Sequence, residues 1–225
     1  MIGVYDSGRG GERVADELRA LMPGENILLL CDRQHAPFGT KSERELKKIL
    51  TSGVKRLVCA GVRRVLVGCC TMCTVLDGID GEYSDLCDEI ILPTARRAVT
   101  KTKNRKIALI GTERTVRSGA FVKTVSYLSE RTEVFGIEAQ ELVAISEGGG
   151  IVTEKDERSL DLVAKRVEAT GADTLILGCT HFGEVAAALE KRLPHISIVD
   201  SAREGARAFY LRRGEKEEDG LLINL

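Results

Sequence analysis

Short apolar runs alternate along almost the whole chain with amphipathic stretches of helical length, and this alternation limits the folds available. The runs cover 2–5, 27–30, 64–67, 89–92, 106–110, 132–136, 174–177 and 197–199. Between them lie 11–21, 42–60, 94–101, 116–129, 154–170 and 183–193, where apolar residues recur at helical spacing. Most of the runs are too continuously apolar for strands with one wet face. Strands separated by helices and covered on both sides are expected, which is an α/β fold with mainly parallel sheets. Ligands of such sheets sit beyond the carboxyl ends of the strands. The polar residues that follow each run are therefore the candidates for chemistry.

Composition narrows the function classes. Among 225 residues, 33 Lys+Arg oppose 34 Asp+Glu, giving a formal charge of −1 and a pI of about 6.4. Neither nucleic acid nor an anionic membrane is favoured as a partner by that balance. Tryptophan is absent and aromatics make up 4%, which argues against base-stacking surfaces. The longest uncharged stretch, 65–76, falls short of the ~18 residues that a membrane span needs. The opening residues Met1-Ile2-Gly3-Val4-Tyr5-Asp6 lack the pattern of a secretory signal. Seven cysteines without regular spacing suit a reducing cytoplasm better than a disulfide framework. A cytoplasmic α/β enzyme is the expectation.

Two strand ends read alike. Run 64–67 leads into Gly68-Cys69-Cys70-Thr71, and run 174–177 into Gly178-Cys179-Thr180-His181. Cys69 lies 67 positions after Ile2, and Cys179 lies 72 after Ile107. This weak internal repeat suggests two related halves, each supplying one cysteine. The first is expected over 1–93 with about 206–225 returning to it, and the second over 94–205. A cysteine between a strand and a helix meets free backbone N–H groups that favour its thiolate. Two of them from matched halves suggest a base and an acid on opposite faces of one carbon, the arrangement racemisation needs. Each alone is equally a small buried hydrophobe.

Other residues carry less by themselves. His181 could orient or deprotonate Cys179, or bind a carboxylate when charged. Asp6 after the first run is a supporting base or an ordinary turn residue. Gly8-Arg9-Gly10-Gly11 misses the dinucleotide pattern because Arg13 stands at the last glycine position. Cys70-Thr71-Met72-Cys73 is formally a C-x-x-C, so a redox or zinc protein remains a rival. No lysine has a context distinctive enough for pyridoxal phosphate. No cofactor and no metal are expected. The charged tail 212–220 is expected to be solvated, with Leu221-Leu222-Ile223 free to pack as an edge element.

Together these segments resemble the cofactor-independent glutamate racemases of the aspartate/glutamate racemase superfamily. The resemblance rests on Asp6-Ser7-Gly8-x-Gly10-Gly11, on Asp32 with Pro37-Phe38-Gly39-Thr40-Lys41-Ser42, and on Gly68-Cys69-Cys70-Thr71. It continues through Gly111-Thr112-Glu113-x-Thr115-Val116-Arg117-Ser118-Gly119-Ala120 and Leu177-Gly178-Cys179-Thr180-His181. The resemblance implies two pseudo-symmetric α/β domains with the active site in the cleft between them. It makes Cys69 and Cys179 the two proton carriers, supported by Asp6, His181 and Glu147. Asp6, Ser7, Pro37, Phe38, Gly39, Cys70, Thr71, Thr112, Thr115, Thr180 and His181 fall at its substrate-binding positions. It implies an acidic amino acid as the small-molecule substrate, glutamate first and aspartate next, with the D-isomer supplied to peptidoglycan. A homodimer is left open. A binding protein on the same fold that has lost turnover is a further rival.

Three positions depart from the family pattern. Cys70 stands for an asparagine, Phe38 for a tyrosine, and Met72-Cys73 for two small residues. Cys70 removes an amide that both donates and accepts, so contacts at that corner must differ.

Overall fold

A computed structural model describes residues 1–222, with side chains through Arg213; an edge element at Leu221-Leu222-Ile223 lies outside the described side chains. The strands are β1 (Ile2–Asp6), β2 (Ile27–Cys31), β3 (Arg64–Val67), β4 (Cys87–Glu89), β5 (Lys106–Gly111), β6 (Glu133–Glu138), β7 (Thr174–Gly178) and β8 (Ser197–Asp200). They form two four-stranded sheets, ordered β2-β1-β3-β4 and β6-β5-β7-β8. Every pairing is parallel. The two sheets thus repeat one topology, as the matched cysteine segments suggested. The expected α/β class is what forms.

The helices are α1 (Arg9–Leu21), α2 (Glu43–Cys59), α3 (Cys70–Cys73), α4 (Gly81–Ser84), α5 (Ile91–Lys101) and α6 (Glu113–Arg117). They continue as α7 (Ala120–Leu128), α8 (Gln140–Glu147), α9 (Glu154–Glu168), α10 (Ala186–Arg192) and α11 (Ser201–Leu222). Among the described residues no helix is long and apolar enough to cross a membrane. One apolar cluster joins the two halves: Ile2, Val4 and Leu66 of the first sheet with Ile107, Leu109 and Ile176 of the second. Val14 and Leu18 of α1, Ala95 of α5, and Ala202, Ala206 and Phe209 of α11 belong to the same cluster. Residues 93 and 94 fall inside α5, whose Ile91, Ala95 and Ala98 belong to the shared cluster. The outer face of the first sheet is covered by α2 through Leu46, Leu50, Val54 and Leu57. That of the second is covered by α8 and α9 through Leu142, Leu160, Val163 and Val167.

Three local expectations are corrected. The run 89–92 is not a strand: β4 ends at Glu89, and Ile91 begins α5. The Glu89 carboxylate accepts from the N–H groups of Ile91 and Leu92, the latter at 2.9 Å, and so caps the helix. The stretch 116–129 is two helices rather than one, broken at Gly119, whose φ of 67° lies in the left-handed region. The stretch 183–193 opens as a 3-10 turn, Thr180–Val185, before α10 begins. By contrast 42–60 forms one helix with a capping box, in which Ser42 and Glu45 bond each other's backbone N–H. The tail through Arg213 is held down, since Arg212 pairs with buried Asp88 and Arg213 lies 3.0 Å from Glu25.

Candidate active site

Cys69 and Cys179 occupy equivalent places. Each follows the strand third in its sheet's order, after a glycine, and each caps the helical turn that comes next. Gly178 is required there, because a Cβ would lie 2.8 Å from the Ile110 carbonyl oxygen. Both cysteines are 8% exposed, and both line one cavity of about 360 Å³. The halves therefore present their cysteines to a common space.

Their electrostatic settings differ. Cys179 Sγ lies 3.5 Å from His181 Nδ1, and His181 Nε2 bonds the Glu147 carboxylate. Burial opposes charge on His181, but Cys179, Asp6 and Glu147 outweigh it and push its pKa up to about 10. An imidazolium is then the form at neutral pH, and it lies against the Cys179 sulfur. Burial pushes the Cys69 thiol well above the usual thiol range, and the charges of Asp6 and Cys179 push it further. Cys69 is thus held as the thiol. Asp6 is fully buried and raised by burial, against the pull of His181 and of hydrogen bonds from Ser7 and Thr180. The cavity thus holds one cysteine beside an imidazolium and one beside a buried carboxylate.

Around the thiols lie groups suited to an amino acid. Ser7, Pro37, Phe38, Gly39, Thr71, Thr112, Glu147 and His181 all line the cavity. The Phe38 ring itself is stacked on Tyr5, with centroids 6.2 Å apart, and is 2% exposed. A phenylalanine serves there because the ring packs in the core. Thr71 from the first half meets Thr112 and Thr115 from the second, each oxygen pair 3.1 Å apart.

Four residues expected to touch substrate do not line the cavity. Asp6 lies beneath it, bonded by Thr180 Oγ1 at 3.0 Å. Thr180 and Thr115 are occupied with Asp6 and with the other threonines respectively. Cys70 begins α3, whose first turn aims its Sγ at Ser201 Oγ, 3.4 Å away in the seam between the halves. Cys73 donates instead to the Val67 carbonyl at 3.2 Å. Among the described residues no three His, Cys, Asp or Glu groups converge as metal ligands would.

The cavity also takes in the motif residue Gly8, together with Arg33, Ala36, Gln140 and Val143, which the sequence reading did not single out. Gln140 and Val143 belong to α8, a two-turn helix with too little periodicity to be noticed. Arg33 sits inside the Asp32…Pro37 segment, where its neighbours drew the attention.

Known proteins resemble this chain in sequence and in fold. The glutamate racemase of Desulforudis audaxviator is 34% identical over 218 residues, covering 95% of this chain and 80% of that protein. The glutamate racemase of Limosilactobacillus reuteri (strain DSM 20016) is 32% identical over 208 residues, covering 92% and 78%. Among solved structures, glutamate racemase isoform RacE1 from Bacillus anthracis superposes with a TM-score of 0.86 at 29% identity, covering 96% of this chain and 82% of that one. The class is therefore amino-acid racemase, an isomerase. A family model described as Asp/Glu/Hydantoin racemase matches residues 12–209, and the chain belongs to that family.

Proposed function

We propose that the protein interconverts L- and D-glutamate by proton transfer between Cys69 and Cys179. The observation that carries the reading is the pair of equivalent strand-end thiols lining one cavity, one beside His181 and the other beside Asp6. The Cys179 thiolate removes the α-proton from one face, and the Cys69 thiol delivers its own proton to the other. Each cycle leaves the two thiols with exchanged protonation, so the reverse reaction begins from the product state. By family analogy Cys179 faces the L-isomer and Cys69 the D-isomer. Hydroxyl groups of Ser7, Thr71 and Thr112 and the backbone at Phe38 and Gly39 hold the ammonium and carboxylates while charge develops at the α-carbon. Asp6 and Thr180 act from beneath, and Glu147 acts through His181. Aspartate is the second candidate substrate. The D-glutamate formed would supply peptidoglycan, and a cytoplasmic setting suits seven free thiols.

Circular dichroism of L- and D-glutamate and of both aspartates, incubated with the enzyme, tests this reading. Decay of optical activity from both glutamates is expected. Stable signals for all four would overturn it. In heavy water, Cys69→Ala and Cys179→Ala should each abolish inversion, while a residual exchange with retention marks the thiol that remains.

A further inference from the structure

We propose that Arg33 holds the side-chain carboxylate of the substrate and selects acidic over amide side chains. The inference rests on the racemase reading above and names a residue that reading does not use. An acidic amino acid brings two carboxylates and one ammonium, a net charge of −1, into a cavity already lined by Glu147. Hydroxyls and backbone N–H groups bind carboxylates but supply no net positive charge to offset that excess. Among the described lining residues only Arg33 and His181 supply a positive charge. Both ring nitrogens of His181 are engaged, Nδ1 with Cys179 and Nε2 with Glu147. Arg33 remains.

Its setting suits the task. Arg33 opens the 3-10 turn Arg33–His35 directly after β2. The preceding Asp32 is 5% exposed and is fixed by Tyr5 Oη at 2.9 Å and His35 Nδ1 at 2.8 Å. The backbone under Arg33 is thereby anchored. Its Nη2 donates to Glu12 Oε1 at 2.9 Å, with side-chain exposures of 69% and 47%. An exposed ion pair of this kind contributes little, so the guanidinium exchanges Glu12 for a substrate carboxylate at small cost. Its planar fork binds a carboxylate through two parallel hydrogen bonds, which an amide cannot reciprocate. Glu12 is then a resting counter-ion that substrate displaces.

The test measures equilibrium binding of L-glutamate, L-aspartate and L-glutamine by calorimetry, with KM and kcat alongside. The proteins are the wild type, Arg33→Gln, Arg33→Lys and Glu12→Gln. Arg33→Gln should weaken binding of the acid about ten- to hundred-fold, the loss of a charge-assisted contact, and leave glutamine binding unchanged. Its KM should rise while kcat holds within about threefold. Arg33→Lys should recover part of the loss. Glu12→Gln should tighten binding of the acid by roughly two- to fivefold, because it frees the guanidinium. An Arg33→Gln variant that binds acid as the wild type does would overturn the proposal. So would a parallel loss of acid and amide binding, or a Glu12→Gln variant that weakens binding as Arg33→Gln does, since the pair would then be structural. Acid binding to wild type without turnover overturns the racemase reading alone, and no binding of either acid overturns both.

Discussion

Thr180→Val removes one hydroxyl and keeps the shape of the side chain. Thr180 Oγ1 donates to Asp6 Oδ2 at 3.0 Å, and Asp6 is 0% exposed. The remaining donors to that carboxylate are the backbone N–H and hydroxyl of Ser7. A hydrogen bond to a buried charged group contributes about 1.5–3 kcal/mol. For a chain of this size each kcal/mol moves Tm by about 2–4 °C, so the variant should melt roughly 3–12 °C lower. The pH dependence has a definite sign. Burial raises the Asp6 pKa above its unfolded value, so the folded protein gives up this proton later than the unfolded chain and loses stability as pH rises through the interval. The Thr180 hydroxyl opposes that rise, and removing it pushes the pKa higher still. The stability deficit should therefore be larger at pH 7–8 than near the unfolded carboxylate value of about 4. Urea denaturation at both pH values, with Thr180→Ser as the control that keeps the hydroxyl, measures it. A Thr180→Val midpoint equal to that of Thr180→Ser, or a deficit that grows on acidification, would refute the argument.

Glu147→Gln removes a charge that favours imidazolium on His181, so the basic limb of the kcat/KM profile should move to lower pH from about 10; an unmoved limb would deny Glu147 this role. The same raised pKa stabilises the fold below about 6.5, and that contribution is lost as pH rises through about 10, which a pH series of denaturation midpoints would reveal. Gly53→Ala places a Cβ 2.7 Å from Cζ of the fully buried Tyr5 ring. Overpacking of about 1–3 kcal/mol should outweigh the ~1 kcal/mol helix gain, and an increased urea midpoint would contradict it. Cys70→Ala and Cys73→Ala should keep turnover, because neither sulfur lines the cavity; loss of proton transfer in either variant would shift the assignment away from Cys69.

The sequence disclosed the sheets because β1, β3, β5 and β7 are apolar through their middles, and the glycine-cysteine endings of β3 and β7 pointed to the shared cavity. It misled where apolarity had another cause. Ile90, Ile91 and Leu92 read as a strand, yet Ile90 and Ile91 are buried at the start of a helix whose N–H groups Glu89 satisfies. A short apolar run has no period that separates the two cases. Gly119 inside a helical pattern gave no sign that its backbone would turn left-handed. The family resemblance placed Cys70 and Thr115 among the site residues, but only three dimensions show that Cys70 turns toward Ser201 and Thr115 bonds Thr71. Glu147 was reached only through resemblance, since α8 carries no clear pattern of its own.

The inner faces of both sheets meet in a single apolar cluster, and that governs how the chain must be made. When β4 leaves the ribosome, Val4 and Leu66 of the first sheet still lack their partners Ile107, Leu109 and Ile176, and the Phe209 of α11. Between the start of α5 and the end of α11 stand roughly 130 residues, which take about 7–26 s to synthesise at about 5–20 residues per second. Through that interval the first half exposes an oily face to water and to neighbouring nascent chains. The yield of folded enzyme in a cell therefore depends on what shields this face during translation, a quantity that the stability of the finished protein does not report.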